Sequence, residues 1–195
     1  MNDSSTPLFK QPWPVGGSGP KLIETGDERR FRDALGRFAT GVTVVTTRDE
    51  EGRLFGVTAS SFNAVSLDPP MVLWSQATRA PSNRVFQRAP HYCVNVLGAD
   101  QRSLSDRFAR PAEDKFAGVP FSVGVEGVPL LHDAIAHFVC RNDYRCYGGD
   151  HMIFVATVLR YGLAPEAEPL IFFGGRYVDR ATGGDVGDRH RVASS

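Results

Sequence analysis

Apolar positions along this chain alternate between two periods. Phe31, Leu35 and Phe38 recur at i, i+4 and i+7, which is one face of a helix. Asp27 stands where an N-cap belongs, so the spacing predicts a helix over 27–39. After Gly41 the run Val42-Thr43-Val44-Val45-Thr46-Thr47 is β-branched or threonine throughout and predicts a strand. Asp49-Glu50-Glu51-Gly52 supplies turn residues, and 54–62 reads as the returning strand. Ser66-Leu67-Asp68-Pro69-Pro70 breaks that run before Met71-Val72-Leu73-Trp74 resumes a buried strand.

Farther on, 81–88 forms a short helix with Val85 and Phe86 inward, and 91–97 is a strand. Asp100 caps a helix in which Leu104 and Phe108 lie four apart. Residues 110–129, rich in Gly and Pro, read as one long loop of the kind that carries function. The stretches 136–147 and 152–161 form a hairpin around Gly148-Gly149-Asp150, and 170–173 is a last strand. About seven strands against three helices, with mostly short connections, predict a mainly β chain with flanking α: an antiparallel barrel with helices at its edges. Residues 1–26, with four prolines and the run Gly16-Gly17-Ser18-Gly19, read as an extended arm. The folded domain is then 27–180, followed by a flexible tail over 181–195.

Composition narrows the classes. The 195 residues, 42% hydrophobic, suit one domain with its own core. Lys plus Arg equals Asp plus Glu at 22 each. A field without charge excess gives no reason to expect nucleic acid or an anionic membrane, and a nucleotide phosphate would need local donors. Cys93, Cys140 and Cys146 form no CxxC pair, and their odd count suits reduced thiols in a cytoplasmic protein. Cys93, alternating within a strand, reads as buried and inert. No apolar run reaches the ~18 residues of a membrane span, and the proline-rich start lacks the apolar core of a secretory signal. His132 with His137 and Cys140 with Cys146 lack zinc-ligand spacing, so no metal is expected. Walker A, GxGxxG, HExxH and GxSxG motifs are all absent.

What remains is a constellation. Gly56-Val57-Thr58-Ala59-Ser60-Ser61-Phe62 sets three small hydroxyls on or just after a strand, and Ser66-Leu67-Asp68-Pro69-Pro70 follows at once. Then come the run from Gln101 to Ala109, Lys115-Phe116, Gly149-Asp150-His151 and Gly174-Gly175-Arg176-Tyr177. In order and spacing, from about Phe31 to Tyr177, these resemble the short-chain flavin reductase family, the reductase components of two-component flavin monooxygenases. The resemblance implies an FMN-binding split β-barrel, antiparallel and Greek-key-like with edge helices, assembled as a homodimer.

It also implies roles. Thr58, Ala59, Ser60 and Ser61 lie along the flavin, where hydroxyls and backbone groups can bond the polar edge of the ring. Trp74, Ser75, Gln76 and Ser82 form a second flavin-contacting stretch, with Ser82 at the start of a helix whose free N–H groups would suit a phosphate. Pro81 departs from the small polar residues common nearby in the family. Arg79 and Arg84 either add charge there or are solvated. Phe108, Lys115 and Phe116 match the region closing over the flavin, although Phe108 also fits helix-core packing. Gly149, Asp150 and His151 match the stretch beside the nicotinamide, with His151 the catalytic candidate, positioning that ring and offering a titratable nitrogen. Tyr177 either stacks near the cofactors or is a core aromatic.

The implied activity is hydride transfer from NADH, or alternatively NADPH, to free FAD or FMN, with FAD favoured, followed by release of reduced flavin to a partner monooxygenase. Such chemistry needs no protein nucleophile, because the protein supplies proximity and orientation. Two other readings stay open. One is a split barrel that keeps its flavin and acts as an oxidase or redox sensor. The other is a non-catalytic small-ligand or haem-binding barrel, for which His151 in a Gly-Gly-Asp turn is poorly placed as an axial ligand.

Overall fold

A computed structural model describes residue 22, residues 25–164 and residues 167–178. The arm expected over 1–26, apart from Leu22, Thr25 and Gly26, and the tail expected over 181–195 lie outside the described residues. The chain runs α1 (Glu28–Leu35), β1 (Thr40–Gly41), β2 (Thr43–Arg48), β3 (Leu54–Ala59), β4 (Asn63–Leu67), β5 (Pro70–Ala77), α2 (Asn83–Arg88) and β6 (His91–Val96). It continues with α3 (Arg102–Ala109), β7 (Phe121–Val123), β8 (Pro129–Leu131), β9 (Ala136–Gly148), β10 (His151–Leu163), β11 (Ile171–Phe173) and β12 (Arg176–Tyr177). Seven strands pair antiparallel in the order β3-β2-β6-β9-β10-β5-β4. The sheet curls until the end of β3 meets β5, where the Ser61 hydroxyl bonds the Ser75 backbone.

The two faces of β2 explain its sequence. Val45 points into a core with Trp74, Tyr92, Val94 and Phe154, while Val42 and Val44 pack outside against Leu97, Phe108 and Leu131. A strand covered on both faces needs apolar or hydrogen-bonded residues at every position, hence an unbroken run rather than alternation. The hydroxyls of Thr46 and Thr47 donate to the carbonyls of Pro129 and His91. By contrast β10 alternates between buried and half-buried residues from His151 to Val158. Inside the curl Trp74 stacks on Phe154 at 4.7 Å between ring centroids, and Phe86 of α2 and Tyr92 meet it edge-on. Each such fully buried side chain contributes about 1.5–3 kcal/mol.

Several elements depart from the sequence pattern. The predicted first helix ends at Leu35, and its apolar face finds no cover among the described residues: Phe31, Leu35 and Phe38 are 52%, 58% and 79% exposed. The predicted break around Ser66 carries β4 up to Leu67, because an edge strand tolerates polar and exposed positions. The expected loop over 110–129 contains β7 and leads into β8, a hairpin too short to show a period. Gln101, not Asp100, precedes α3, and it makes no side-chain cap bond. Instead its amide accepts from Gly98 N–H and donates to the His132 carbonyl. Cys93 is fully buried, with its thiol pushed up by burial, as an inert core residue should be. Among the described residues no cluster of His, Cys, Asp and Glu could hold a metal, and no helix is long and apolar enough to cross a membrane.

Candidate active site

Where β3 meets β5 a cleft of about 300 Å³ opens, lined by residues 57–61 and 74–77 with Ala80 and His151. Chain geometry places each wall. β3 ends at Ala59, and residues 60–62 join no strand ladder, so no neighbouring strand engages their backbone groups. The β9–β10 hairpin turns through Gly149 at φ 68°, a conformation glycine adopts without steric cost. That turn sets His151 opposite Ala77 in the β5–β10 register. Thr78 fixes it further, since its N–H and hydroxyl both donate to the Asp150 carbonyl, at 2.9 and 3.0 Å.

His151 Nδ1 lies 2.7 Å from the Asp150 carboxylate. The imidazole hydrogen bond, reinforced by its charge, holds the Asp150 carboxyl below the usual carboxylate range. A carboxylate can only accept, so Nδ1 carries the proton and Nε2 is left to accept from, or when protonated donate to, a ligand.

The hydroxyls of the predicted flavin segment divide into two kinds. Thr58 donates to the Ser105 carbonyl of α3 at 2.6 Å. Ser61 both donates to and accepts from the Ser75 backbone at 2.9 Å. These two hold the cleft together. Ser60 is exposed and has no hydrogen bond to another described residue. Behind the other wall runs a chain of side-chain amides. Gln87 donates to Asn83, Asn83 to Gln76 at 3.3 Å, and Gln76 to the Ser82 hydroxyl at 2.9 Å. Gln76 and Asn83 are 4% and 2% exposed, so this chain sets the Ser82 oxygen and leaves its proton to donate outward. The sequence reading missed Asn83 and Gln87. Their only signal is a polar residue on the inward face of a helix whose next inward residue is Phe86.

Ser82, Gly149 and Asp150 adjoin the cleft without lining it, and four further predicted residues lie elsewhere. Phe108 and Phe116 pack edge to face at 5.1 Å on the far side of β3, over Gly56. The Lys115 ammonium donates to the carbonyls of Phe108 and Gly56, at 2.8 and 3.2 Å, and burial lowers its pKa. Tyr177 bonds Ser105 at 2.8 Å and Asp106 at 3.2 Å, with the Arg102 guanidinium over its ring. These side chains brace β3 and α3 from behind, and none lines the cleft. Trp74 touches the cleft only as the floor, its ring being fully buried. His132 meets the Ser122 hydroxyl and His137 the Leu131 carbonyl, each at 2.8 Å.

Comparison with known proteins converges on one family. The family described as "Flavin reductase like domain" matches residues 35–180. The FMN reductase (NADH) SmoA of Agrobacterium fabrum is 44% identical over 77% of this chain and 85% of its own length. The flavin-dependent monooxygenase reductase subunit HsaB of Rhodococcus jostii is 39% identical over 84% and 83%. Among solved structures, the NADH:FAD oxidoreductase SgcE6 of Streptomyces globisporus, in complex with NAD and FAD fragments, superposes with a TM-score of 0.79 at 36% identity. The match covers 85% of this chain and all of that one. A cleft of this shape on a mostly antiparallel sheet, matched along most of the chain, assigns the protein to the flavin reductase like domain family.

Proposed function

We propose that the protein is an NAD(P)H:flavin oxidoreductase that uses NADH to reduce a diffusible flavin for a partner monooxygenase. One observation carries the reading: the cleft combines a firm, internally bonded frame with unengaged polar groups at Ser60 and His151 Nε2. Small residues at Ala59, Ala77 and Ala80 let a flat ring approach the backbone, which fits an isoalloxazine. The names of the relatives support the same chemistry.

When both cofactors are bound, a hydride passes from nicotinamide to flavin without a protein nucleophile. The residues of this chain bind and orient. Ser60 and the backbone of 60–62 would hold the polar edge of the flavin ring, where such donors favour negative charge. Ser82, held by Gln76 beside the cleft, would be a donor for the flavin side chain. His151, oriented by Asp150, would seat the nicotinamide through Nε2. Ser60 at the lip is solvent-exposed, so reduced flavin can leave. Phe108, Phe116, Lys115 and Tyr177 act at one remove, by fixing β3. The resemblance further implies a cytoplasmic homodimer, and the exposed Phe31 and Leu35 of α1 with Phe38 just after it are the surface that a second copy would bury.

Titrating FAD and FMN against the protein, with flavin fluorescence as the signal, tests the site. Saturable quenching, reversible on gel filtration, is expected. Flavin that cannot be removed would favour a resident-flavin oxidase instead, and no quenching would contradict both.

A further inference from the structure

His151 stands just after the tip of a narrow hairpin whose residues 148–150 are all exposed. The last rung of the β5–β10 ladder sets it opposite Ala77, and β5 ends there. Beyond that rung the two backbones meet once more, where the Thr78 N–H donates to the Asp150 carbonyl at 2.9 Å. The Thr78 hydroxyl donates to the same carbonyl at 3.0 Å, so both lone pairs of that oxygen are engaged. The oxygen lies in the planar peptide joining Asp150 to His151, and two donors hold that plane against rotation. Through its carboxylate Asp150 also accepts from His151 Nδ1, at 2.7 Å. Thr78 is thus the first link of a chain that passes through Asp150 to the imidazole.

Water satisfies a hydroxyl at an exposed position equally well, so the side-chain bond of Thr78 adds little to stability. What it adds is direction. Thr78 also heads the loop that leads from β5 into α2. Two successive turns close that loop, with the Ala80 N–H on the Ala77 carbonyl at 3.0 Å and the Asn83 N–H on the Ala80 carbonyl at 2.9 Å. They leave little slack, and Ala80 lines the cleft. The loop that borders the cleft and the turn that carries His151 are therefore joined by a side chain as well as by backbone, and that side chain is Thr78.

We propose that Thr78 is a positioning residue: its hydroxyl fixes the Asp150–His151 peptide and thereby the place of the imidazole at the cleft edge. It touches no reacting atom and acts only through His151. That the imidazole so placed seats a nicotinamide rests on the flavin reductase reading; the clasp itself does not.

Two variants of the full chain separate the hydroxyl from the shape of the side chain. Thr78→Val keeps the branch and the backbone bond but removes the donor, whereas Thr78→Ser keeps the donor. In steady-state NADH oxidation, Thr78→Val is expected to raise the KM for NADH about three- to ten-fold, the worth of one hydrogen bond. The KM for flavin and the melting temperature should stay unchanged, and Thr78→Ser should recover most of the loss. In a His151→Ala background Thr78→Val should change nothing further, because the residue it acts through is gone. An unchanged KM in Thr78→Val, a Thr78→Ser variant no better than it, or the full increase persisting without His151 overturns the proposal. So does a fall in melting temperature that moves every constant together. The imidazole resonances of His151 give a readout without turnover: they should shift in Thr78→Val and return in Thr78→Ser. That pattern in a protein that oxidises no NADH would keep the clasp and remove the reductase reading, whereas unmoved resonances overturn the clasp.

Discussion

Two polar clusters of this molecule are built from similar residues and do opposite work. On the β2–β6 side, the Asn95 amide donates to the Val44 carbonyl at 2.8 Å and to Thr46 at 3.0 Å, and accepts from the Leu131 N–H at 2.9 Å. Thr46 donates onward to the Pro129 carbonyl, so β8 is clipped to the sheet and the cluster is closed. At the cleft, Thr58, Ser61 and Gln76 are bonded just as completely, but they form a frame behind Ser60 and His151 Nε2, which keep capacity left over. Burial makes the difference. A buried polar group without a partner costs about 1–3 kcal/mol, so a cluster inside the fold must close. One at a cleft can keep groups open for a ligand because water satisfies them meanwhile.

Substitutions sharpen that contrast. The largest expected effect is at Asn95: Asn95→Leu strands the Leu131 N–H and should lower stability by about 2–4 kcal/mol in chemical denaturation. Flavin affinity of the fraction that remains folded should not change. Gly56→Ala comes next, since an added Cβ would sit 2.4 Å from the Phe108 ring, on the back of the strand that frames the cleft. A loss of about 1–3 kcal/mol is expected. His151→Ala should behave in the opposite way, raising the KM for NADH about ten-fold with an unchanged melting temperature. A large loss of stability there would make His151 a structural residue and erase the contrast.

The smallest effect concerns pH. Asp143 is a third closed cluster, on the hairpin that carries His151. Burial pushes its pKa up, but hydrogen bonds from Arg141 and from the Thr157 N–H and hydroxyl outweigh this and hold it below the usual carboxylate range. A depressed folded pKa gives stability that is present above the unfolded value and lost as pH falls through the folded one. Asp143→Asn should therefore cost about 1 kcal/mol at neutral pH and flatten the acid limb of a stability–pH profile.

Much of this was legible in the sequence, and what was not has physical reasons. The unbroken run at β2, the strand at β6 and the β9–β10 hairpin follow from β-branched composition and turn glycines. The fold brings the hydroxyl segment, Gln76 and His151 together around one cleft. What the sequence conceals is which oxygen is engaged: Thr58, Ser60 and Ser61 look alike in a row, and only the curl of the sheet commits two of them to the frame. Phe108, Lys115 and Phe116 lie close to the site in sequence order but behind β3 in space, because residues 115 and 116 cross back over Gly56. The α1 face shows the converse. Its period is plain, yet nothing within the described chain covers it.

The central claim is that this cleft brings a nicotinamide and a free flavin together. Steady-state NADH oxidation by the full chain, with FAD or FMN varied from zero, tests it most directly. The account predicts turnover that is absent without added flavin, saturates as flavin rises, and loses affinity for NADH in His151→Ala. NADH oxidation that ignores added flavin, or a folded protein that oxidises none with either flavin, would contradict it.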